Sequence, residues 1–123
     1  MLNHTLKMLL KKNLNEGTSH WFYQRVSSVI LIPITVIFIF TFIQNVGLGY
    51  EKNINFYKNP VSALITFLFI YFTLLHFKQG AQVVIEDYIE DETVHRALLI
   101  INAIFFWVMN LLAVFSFAKL VFE

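Results

Sequence analysis

The chain has 123 residues, of which 58% are hydrophobic, 17% aromatic and 14% charged, and it has a net charge of +1 and no cysteine. Soluble domains carry about 25% charged residues, so this composition indicates a single-domain membrane protein. The near-neutral charge and the scattered basic residues argue against nucleic-acid binding. Because cysteine is absent, disulfides, thiolate metal sites and iron–sulfur ligation by this chain are excluded.

Three apolar stretches are each long enough to cross a bilayer as a helix, which takes roughly 20 residues. The first covers about 26–46 and contains Pro33, which a membrane helix tolerates with a slight kink. The second follows Pro60, a residue suited to a first helical turn, and covers about 61–88. The third covers about 97–121. The predicted fold class is therefore an all-α membrane protein with three transmembrane helices joined by short loops.

Positive charge is unequal between the two sides of this predicted bundle. One side has Lys7, Lys11, Lys12, Arg25, Lys78 and Arg96, and the other has Lys52, Lys58 and Lys119. Because short loops rich in Lys and Arg stay inside, we expect the N-terminus inside and the C-terminus outside. The chain then divides into an inner tail, 1–25, and a three-helix transmembrane anchor domain, 26–123. A very short targeting sequence at the basic start MLNHTLKMLLKK is the alternative for the tail.

His76 lies deep in the second predicted helix, sixteen residues after Pro60. At roughly 1.5 Å per residue this is about 24 Å along the helix, near the middle of a membrane. Polar groups at such a depth usually face a partner or a cavity. Two roles fit the residue. It is either a haem ligand, with Gly80 one turn away allowing a flat macrocycle to approach, or a side chain that hydrogen-bonds to another helix.

Polar residues also mark the inner ends of the first two helices. Arg25 is either an inside anchor among interfacial aromatic residues or a forked donor to a carboxylate, such as a haem propionate. Asp87 and Tyr88 are either a solvated helix end or part of a quinone site. In a quinone site, the tyrosine hydroxyl donates to a carbonyl oxygen, and the carboxylate orients nearby groups or relays protons.

Other polar residues in the predicted spans and loops carry weaker signals. Lys78 is an unexpected charge near mid-membrane and has no evident role. Asn102 and Asn110 are eight residues apart, share one helix face and favour interhelical hydrogen bonds. Three further histidines are interpreted as solvent-facing or interfacial residues, with a role in proton delivery as the alternative: His4, His20 and His95.

The combined pattern resembles the small hydrophobic membrane anchor subunits of succinate dehydrogenase, respiratory complex II, also called cytochrome b small subunits. The resemblance rests on SHWFYQRVSSVILIP before and within the first helix, and on His76 followed by GAQVVIEDY. The twelve-residue step from His76 to Tyr88 is more specific than either residue alone. The third helix resembles the family in length and hydropathy only.

The resemblance implies a role for each candidate residue. His76 is expected to be an axial ligand of haem b, with Gly80 allowing close approach and Arg25 near the propionates. Tyr88 and Asp87 are expected to contact ubiquinone. The implied partners are the large cytochrome b subunit, which supplies the second axial histidine, and the iron–sulfur and flavoprotein subunits. This chain alone is then not an enzyme but an anchor that holds part of each site.

The alternative function is a cofactor-free structural three-helix subunit of another membrane complex, or a small transporter component. In that case His76 and the asparagines only hold helices together. Abundant Ile, Phe, Asn and Lys indicate an AT-rich genome, as in organelles and endosymbiont-like bacteria. We therefore expect a multi-pass protein of the mitochondrial inner membrane, encoded in the organelle, or of a bacterial inner membrane, with the first slightly favoured.

Overall fold

The computed structural model describes residues 3–123, without the side chains of 9–18. The helices in this range are α1 (His4–Asn45), α2 (Tyr50–Lys58), α3 (Pro60–Tyr88) and α4 (Glu92–Phe122). No strand is present in the described range, so the predicted all-α fold is confirmed. Three segments are long and apolar enough to cross a membrane, namely Ser19–Asn45, Pro60–Tyr88 and Glu92–Phe122. The side chains of Lys11 and Lys12, which enter the charge comparison, lie outside the described residues.

α1 extends well beyond the apolar stretch predicted at 26–46. It begins at His4 and continues through Pro33 to Asn45. Its 42 residues correspond to about 63 Å, roughly twice the thickness of a bilayer core. The extension is helical because its Leu, Lys and Met residues are good helix formers, a property that a hydropathy pattern does not register. The helix ends where Gly47 takes the left-handed conformation, with φ of 83°.

α2 corrects the prediction that the segment between the first two transmembrane spans is only a short loop. Gly49, with φ of 89°, precedes a nine-residue helix. Glu51 lies in its first turn and Lys58 in its last, so both charges complement the helix dipole. The ring of Tyr57 packs edge-on against that of Phe117 in α4, with centroids 6.3 Å apart. A short polar helix of this kind is stabilised mainly by its tertiary contacts. The sequence did not predict it, because it contains no long apolar run.

A side chain caps the N-terminus of each of the two long helices in the second half of the chain. The Asn59 side chain accepts a hydrogen bond from the Val61 amide, at 2.9 Å, where α3 begins. Asp91 does the same for the Val94 amide, at 2.9 Å, where α4 begins. α4 therefore starts five residues before the predicted 97, because its first turn is polar and capped rather than apolar.

α3 packs against both α1 and α4, and each neighbour runs antiparallel to it. The rings of Phe38 in α1 and Phe69 in α3 stack with centroids 4.1 Å apart. Ser28, ten residues before Phe38, contacts His76, seven residues after Phe69. Tyr71 packs against Phe106 of α4, with centroids 5.9 Å apart. The N-terminal end of the apolar part of α1 therefore lies beside the C-terminal half of α3.

Little of the apolar surface is covered within the chain. The buried apolar side chains of the described residues are Ala63 and Phe106. Exposed large apolar side chains, including Phe40, Phe115 and Trp107, line all three long helices. An apolar exterior of this extent fits a bundle surrounded by lipid and by other membrane subunits.

Candidate functional site

A polar cluster lies at the contact between α1 and α3. The Nδ1 atom of His76 lies 3.4 Å from the hydroxyl oxygen of Ser27 and 3.4 Å from that of Ser28. Ser27 is buried, at 2% exposure, while Ser28 and His76 are half-buried. His76 therefore takes part in an interhelical contact through one ring nitrogen, whereas Nε2 forms no hydrogen bond with the described residues.

Both serine hydroxyls also bond back to their own helix. Ser28 Oγ donates to the carbonyl oxygen of Gln24 at 2.9 Å, and Ser27 Oγ lies within donating distance of the same oxygen, also at 2.9 Å. Ser27 Oγ is also within donating distance of Gln79 Oε1, at 2.8 Å. Such back-bonding fixes the serine side chains against α1, so their oxygens meet α3 at a defined position. Sequence reasoning missed both serines, although they stand in the motif SHWFYQRVSS.

Gly80 lies one turn from His76 and borders open space. No atom that a side chain would meet lies within 4 Å of the position that a Cβ would occupy there. The contacts of this chain therefore do not require a glycine at this position. The open space follows His76 by four residues and so lies on the same face of α3. This arrangement leaves room for a flat group beside the imidazole.

Arg25 lies near the level of His76 but does not contact it. Ser28 meets His76 directly, and Arg25 precedes Ser28 by three residues, or about 4.5 Å along α1. The Arg25 side chain is exposed, and its guanidinium carbon lies 5.5 Å from the ring centroid of Trp21. The cation is thus held over an aromatic face. Its exposed donors are available to a group outside the described chain.

Asp87 and Tyr88 form the exposed end of α3. Tyr88 is the last residue of the helix and is 78% exposed, and Asp87 is also exposed. Twelve helical residues separate Tyr88 from His76, or about 18 Å. Neither side chain hydrogen-bonds to another described residue, and the structure does not bring them near the histidine. They are available to another chain or to a ligand.

Lys78 lies on the side of α3 that faces α4, the helix that carries the two asparagines. Lys78 Nζ lies 5.2 Å from the ring centroid of Phe106, and its backbone carbonyl accepts a hydrogen bond from Asn102 Nδ2 at 2.9 Å. The predicted interhelical role of Asn102 is therefore confirmed. The same expectation for Asn110 was wrong, because its Nδ2 donates to Phe106 of its own helix at 2.8 Å. Its buried Oδ1 has no partner among the described residues.

Residues 4–115 match the family described as succinate dehydrogenase/fumarate reductase transmembrane subunit. The chain belongs to this family. The match covers α1, α2 and α3 and most of α4, so it includes all five candidate residues. The resemblance predicted from the sequence motifs is thus confirmed at the level of the family, and the chain is a multi-pass membrane protein by its three apolar helices.

Individual relatives agree with the family match. The chain is 33% identical over 106 residues to a succinate dehydrogenase hydrophobic membrane anchor subunit of Paracoccus denitrificans, covering 86% of this chain and 81% of the relative. It is 30% identical over 106 residues to the subunit of the same name in Rickettsia prowazekii, covering 86% and 82%. A succinate dehydrogenase membrane anchor subunit of Reclinomonas americana is 25% identical over 91 residues, covering 72% and 76%. No solved structure matches the chain significantly.

Proposed function

We propose that the chain anchors a succinate dehydrogenase in its membrane, supplies one axial ligand of a haem b, and forms part of a site for ubiquinone reduction. The observation that carries the proposal is the environment of His76. One ring nitrogen is held by two serines of α1, while the other forms no hydrogen bond within the described chain, beside the open space at Gly80. Membership of the transmembrane subunit family supports this function over others with three helices.

The residues around His76 fit a haem. Neutral imidazole is a common axial ligand of haem iron, and a glycine one turn away leaves space for the macrocycle beside α3. A haem bound there would supply one-electron redox chemistry. Arg25 would offer its forked donors to the propionates. This chain has one suitable histidine at that depth, so the second axial ligand would come from the large cytochrome b subunit.

The end of α3 suits a quinone carbonyl at the membrane surface. The exposed Tyr88 hydroxyl would donate a hydrogen bond to a ubiquinone oxygen, and Asp87 would orient that group or accept and release a proton. Since neither side chain hydrogen-bonds to another described residue, the rest of the pocket would come from the large cytochrome b and iron–sulfur subunits. The helix between His76 and Tyr88 would then fix the separation between haem ligand and quinone donor at about 18 Å.

The proposed orientation places Tyr88 on the inner side of the membrane. The antiparallel packing puts Arg25 and Tyr88 toward the same end of the bundle, which is the end with more Lys and Arg in the sequence. Relatives occur in bacteria and in Reclinomonas americana, so the proposed location is a bacterial or mitochondrial inner membrane. On that side the iron–sulfur and flavoprotein subunits would meet Tyr88 from the cytoplasm or the matrix.

Purification of the chain with its natural partners tests this function. A tag on the exposed Glu123 end should recover a large cytochrome subunit, an iron–sulfur subunit and a flavoprotein, together with succinate-dependent reduction of ubiquinone. A cofactor-free structural subunit of another complex is the alternative, and the serine contacts of His76 are the observation in its favour. Recovery of a stable complex without flavoprotein and iron–sulfur subunits would support that alternative and contradict the proposal.

A further inference from the structure

We infer that Ser27 and Ser28 are positioning residues that select the tautomer of His76, keeping the ring hydrogen on Nδ1 and leaving Nε2 as the iron ligand. The inference rests on the proposed function for its consequence at the iron, but the tautomer itself follows from contacts within this chain. Neither serine would touch the haem. They act through the imidazole.

The hydrogen of Ser28 decides the direction of the contact. A serine hydroxyl has one hydrogen and two lone pairs. Ser28 Oγ donates to the Gln24 carbonyl oxygen at 2.9 Å, and its other polar contact in the described chain is with Nδ1 of His76 at 3.4 Å. With its hydrogen used on α1, Ser28 presents a lone pair to the histidine. A favourable contact then requires the hydrogen to be on Nδ1.

Ser27 adds a second acceptor at the same ring atom. Its single hydrogen goes to the Gln24 carbonyl at 2.9 Å or to Gln79 Oε1 at 2.8 Å, and both are much closer than Nδ1 at 3.4 Å. Ser27 is only 2% exposed, so water does not compete for its oxygen. Two lone pairs therefore converge on Nδ1, which they would repel if that nitrogen were bare. Each contact is long, but the two act in the same direction.

The tautomer has a direct consequence for metal binding. A neutral imidazole carries one hydrogen, so a hydrogen on Nδ1 leaves the Nε2 lone pair free. Ligating histidines usually donate their other ring N–H to an acceptor, which fixes the ring and makes the ligand more basic. Ser27 and Ser28 provide that acceptor from α1. A more basic ligand stabilises ferric over ferrous haem, so the serine pair is expected to lower the midpoint potential.

Nitrogen NMR of the full-length chain tests the tautomer without haem. With ¹⁵N-labelled histidine in lipid nanodiscs, the His76 signal should show a protonated Nδ1 and a bare Nε2 in the wild type. The Ser27→Ala/Ser28→Ala variant should lose that preference. The control is Ser116→Ala, because Ser116 Oγ donates to Leu112 at 2.7 Å in the same back-bonded way but contacts no histidine in the described chain. A wild-type His76 protonated on Nε2, or a tautomer unchanged in the double variant, would overturn the inference.

A redox titration of the assembled complex tests the consequence at the iron. The double alanine variant should keep its haem but show a more positive midpoint potential and a shifted electron paramagnetic resonance signal of the ferric haem. Ser28→Thr retains a hydroxyl and should stay near the wild type, as should Ser116→Ala. If haem is bound but potential and resonance are unchanged, the serines do not act on His76. Absence of haem from the wild-type complex would instead reject the proposed haem site and leave the NMR result to decide the tautomer.

Discussion

His76 and Lys78 are two residues apart on α3 but contact different helices. The imidazole meets Ser28 of α1, with Nδ1 and Oγ 3.4 Å apart, whereas the ammonium lies 5.2 Å from the Phe106 ring of α4. Two residues correspond to about 200° of helix rotation, so the two side chains belong to opposite faces. α3 therefore uses one face for the candidate cofactor ligand and the other to pack against α4. Lys78, for which the sequence suggested no role, therefore has a partner in the ring of Phe106.

The first prediction concerns the α3–α4 contact. Asn102→Leu removes the hydrogen bond from Nδ2 to the Lys78 carbonyl and should destabilise the helix pair by about 0.6–1.7 kcal/mol. Thermal unfolding of the purified protein in detergent, followed by circular dichroism, measures the effect. Asn53→Leu is the control, because the Asn53 side chain bonds to Gly49 of its own turn and to no other described residue, and it is outside the predicted spans. A Tm equal to that of the control would show that the contact contributes nothing.

The second prediction uses the other asparagine of α4. Asn110 is buried, and its Oδ1 has no partner among the described residues. Replacing it by Leu removes a costly polar atom from an apolar site, at the loss of one bond within the helix. Asn110→Leu should therefore leave the Tm unchanged or raise it, in contrast to Asn102→Leu. A loss of stability as large as that of Asn102→Leu would contradict this prediction and show that the Asn110 side chain stabilises the purified protein.

The third prediction concerns Gly80. Gly80→Ala places a methyl group in open space and should not destabilise the chain, because alanine favours helices by about 1 kcal/mol over glycine. Gly80→Leu, by contrast, should fill the space beside His76 and reduce the haem content of the purified complex severalfold. Haem per anchor chain is measured by the pyridine haemochrome assay. The control is Ala97→Leu at an exposed position of α4. Full haem occupancy in Gly80→Leu would place the macrocycle elsewhere.

The fourth prediction concerns the proposed quinone site at the end of α3. Tyr88→Phe removes one hydroxyl and should lower succinate-dependent quinone reduction at limiting quinone by about two- to tenfold, as expected for one hydrogen bond. Haem content and assembly should stay at wild-type levels. Tyr50→Phe is a matched control, since Tyr50 is comparably exposed but lies on α2, at the other end of the bundle. Equal turnover in the two variants would contradict a role for the Tyr88 hydroxyl.

The fifth prediction separates the two interpretations of Arg25. If its guanidinium binds haem propionates, Arg25→Lys keeps the charge but loses the forked geometry, and haem should dissociate faster than from the wild type. If Arg25 is only an inside anchor over Trp21, lysine should replace it without effect. Haem retention during dilution in detergent distinguishes these outcomes. Arg96→Lys serves as control, because Arg96 pairs with Glu92 on the exposed surface of α4.

Hydropathy predicted the three long spans because their apolar composition is a property of each segment alone. It could not predict α2, a short polar helix that depends on contacts such as that between Tyr57 and Phe117. It also missed the helical start of α1 at His4, since helix propensity and membrane insertion are different properties.

The sequence predicted some residues of the candidate site and missed others. His76 was identifiable because a histidine deep in an apolar run is costly. Ser27 and Ser28 were not, because serines are common in membrane helices and their contact with His76 spans 48 or 49 residues of sequence. The family resemblance supplied the spacing between His76 and Tyr88 but no information about Nδ1. The contact of Nδ1 with the two serines depends on the packing of α1 against α3, which the sequence pattern does not contain.

The central claim is that His76 ligates haem iron, and a reduced-minus-oxidised optical spectrum of the purified complex tests it most directly. The wild type should show the bands of a b-type haem. His76→Ala should lose or strongly diminish them, while His20→Ala, at an exposed position of α1, should retain them. A wild-type complex without these bands, or a His76→Ala complex with an unaltered spectrum, would contradict the assignment.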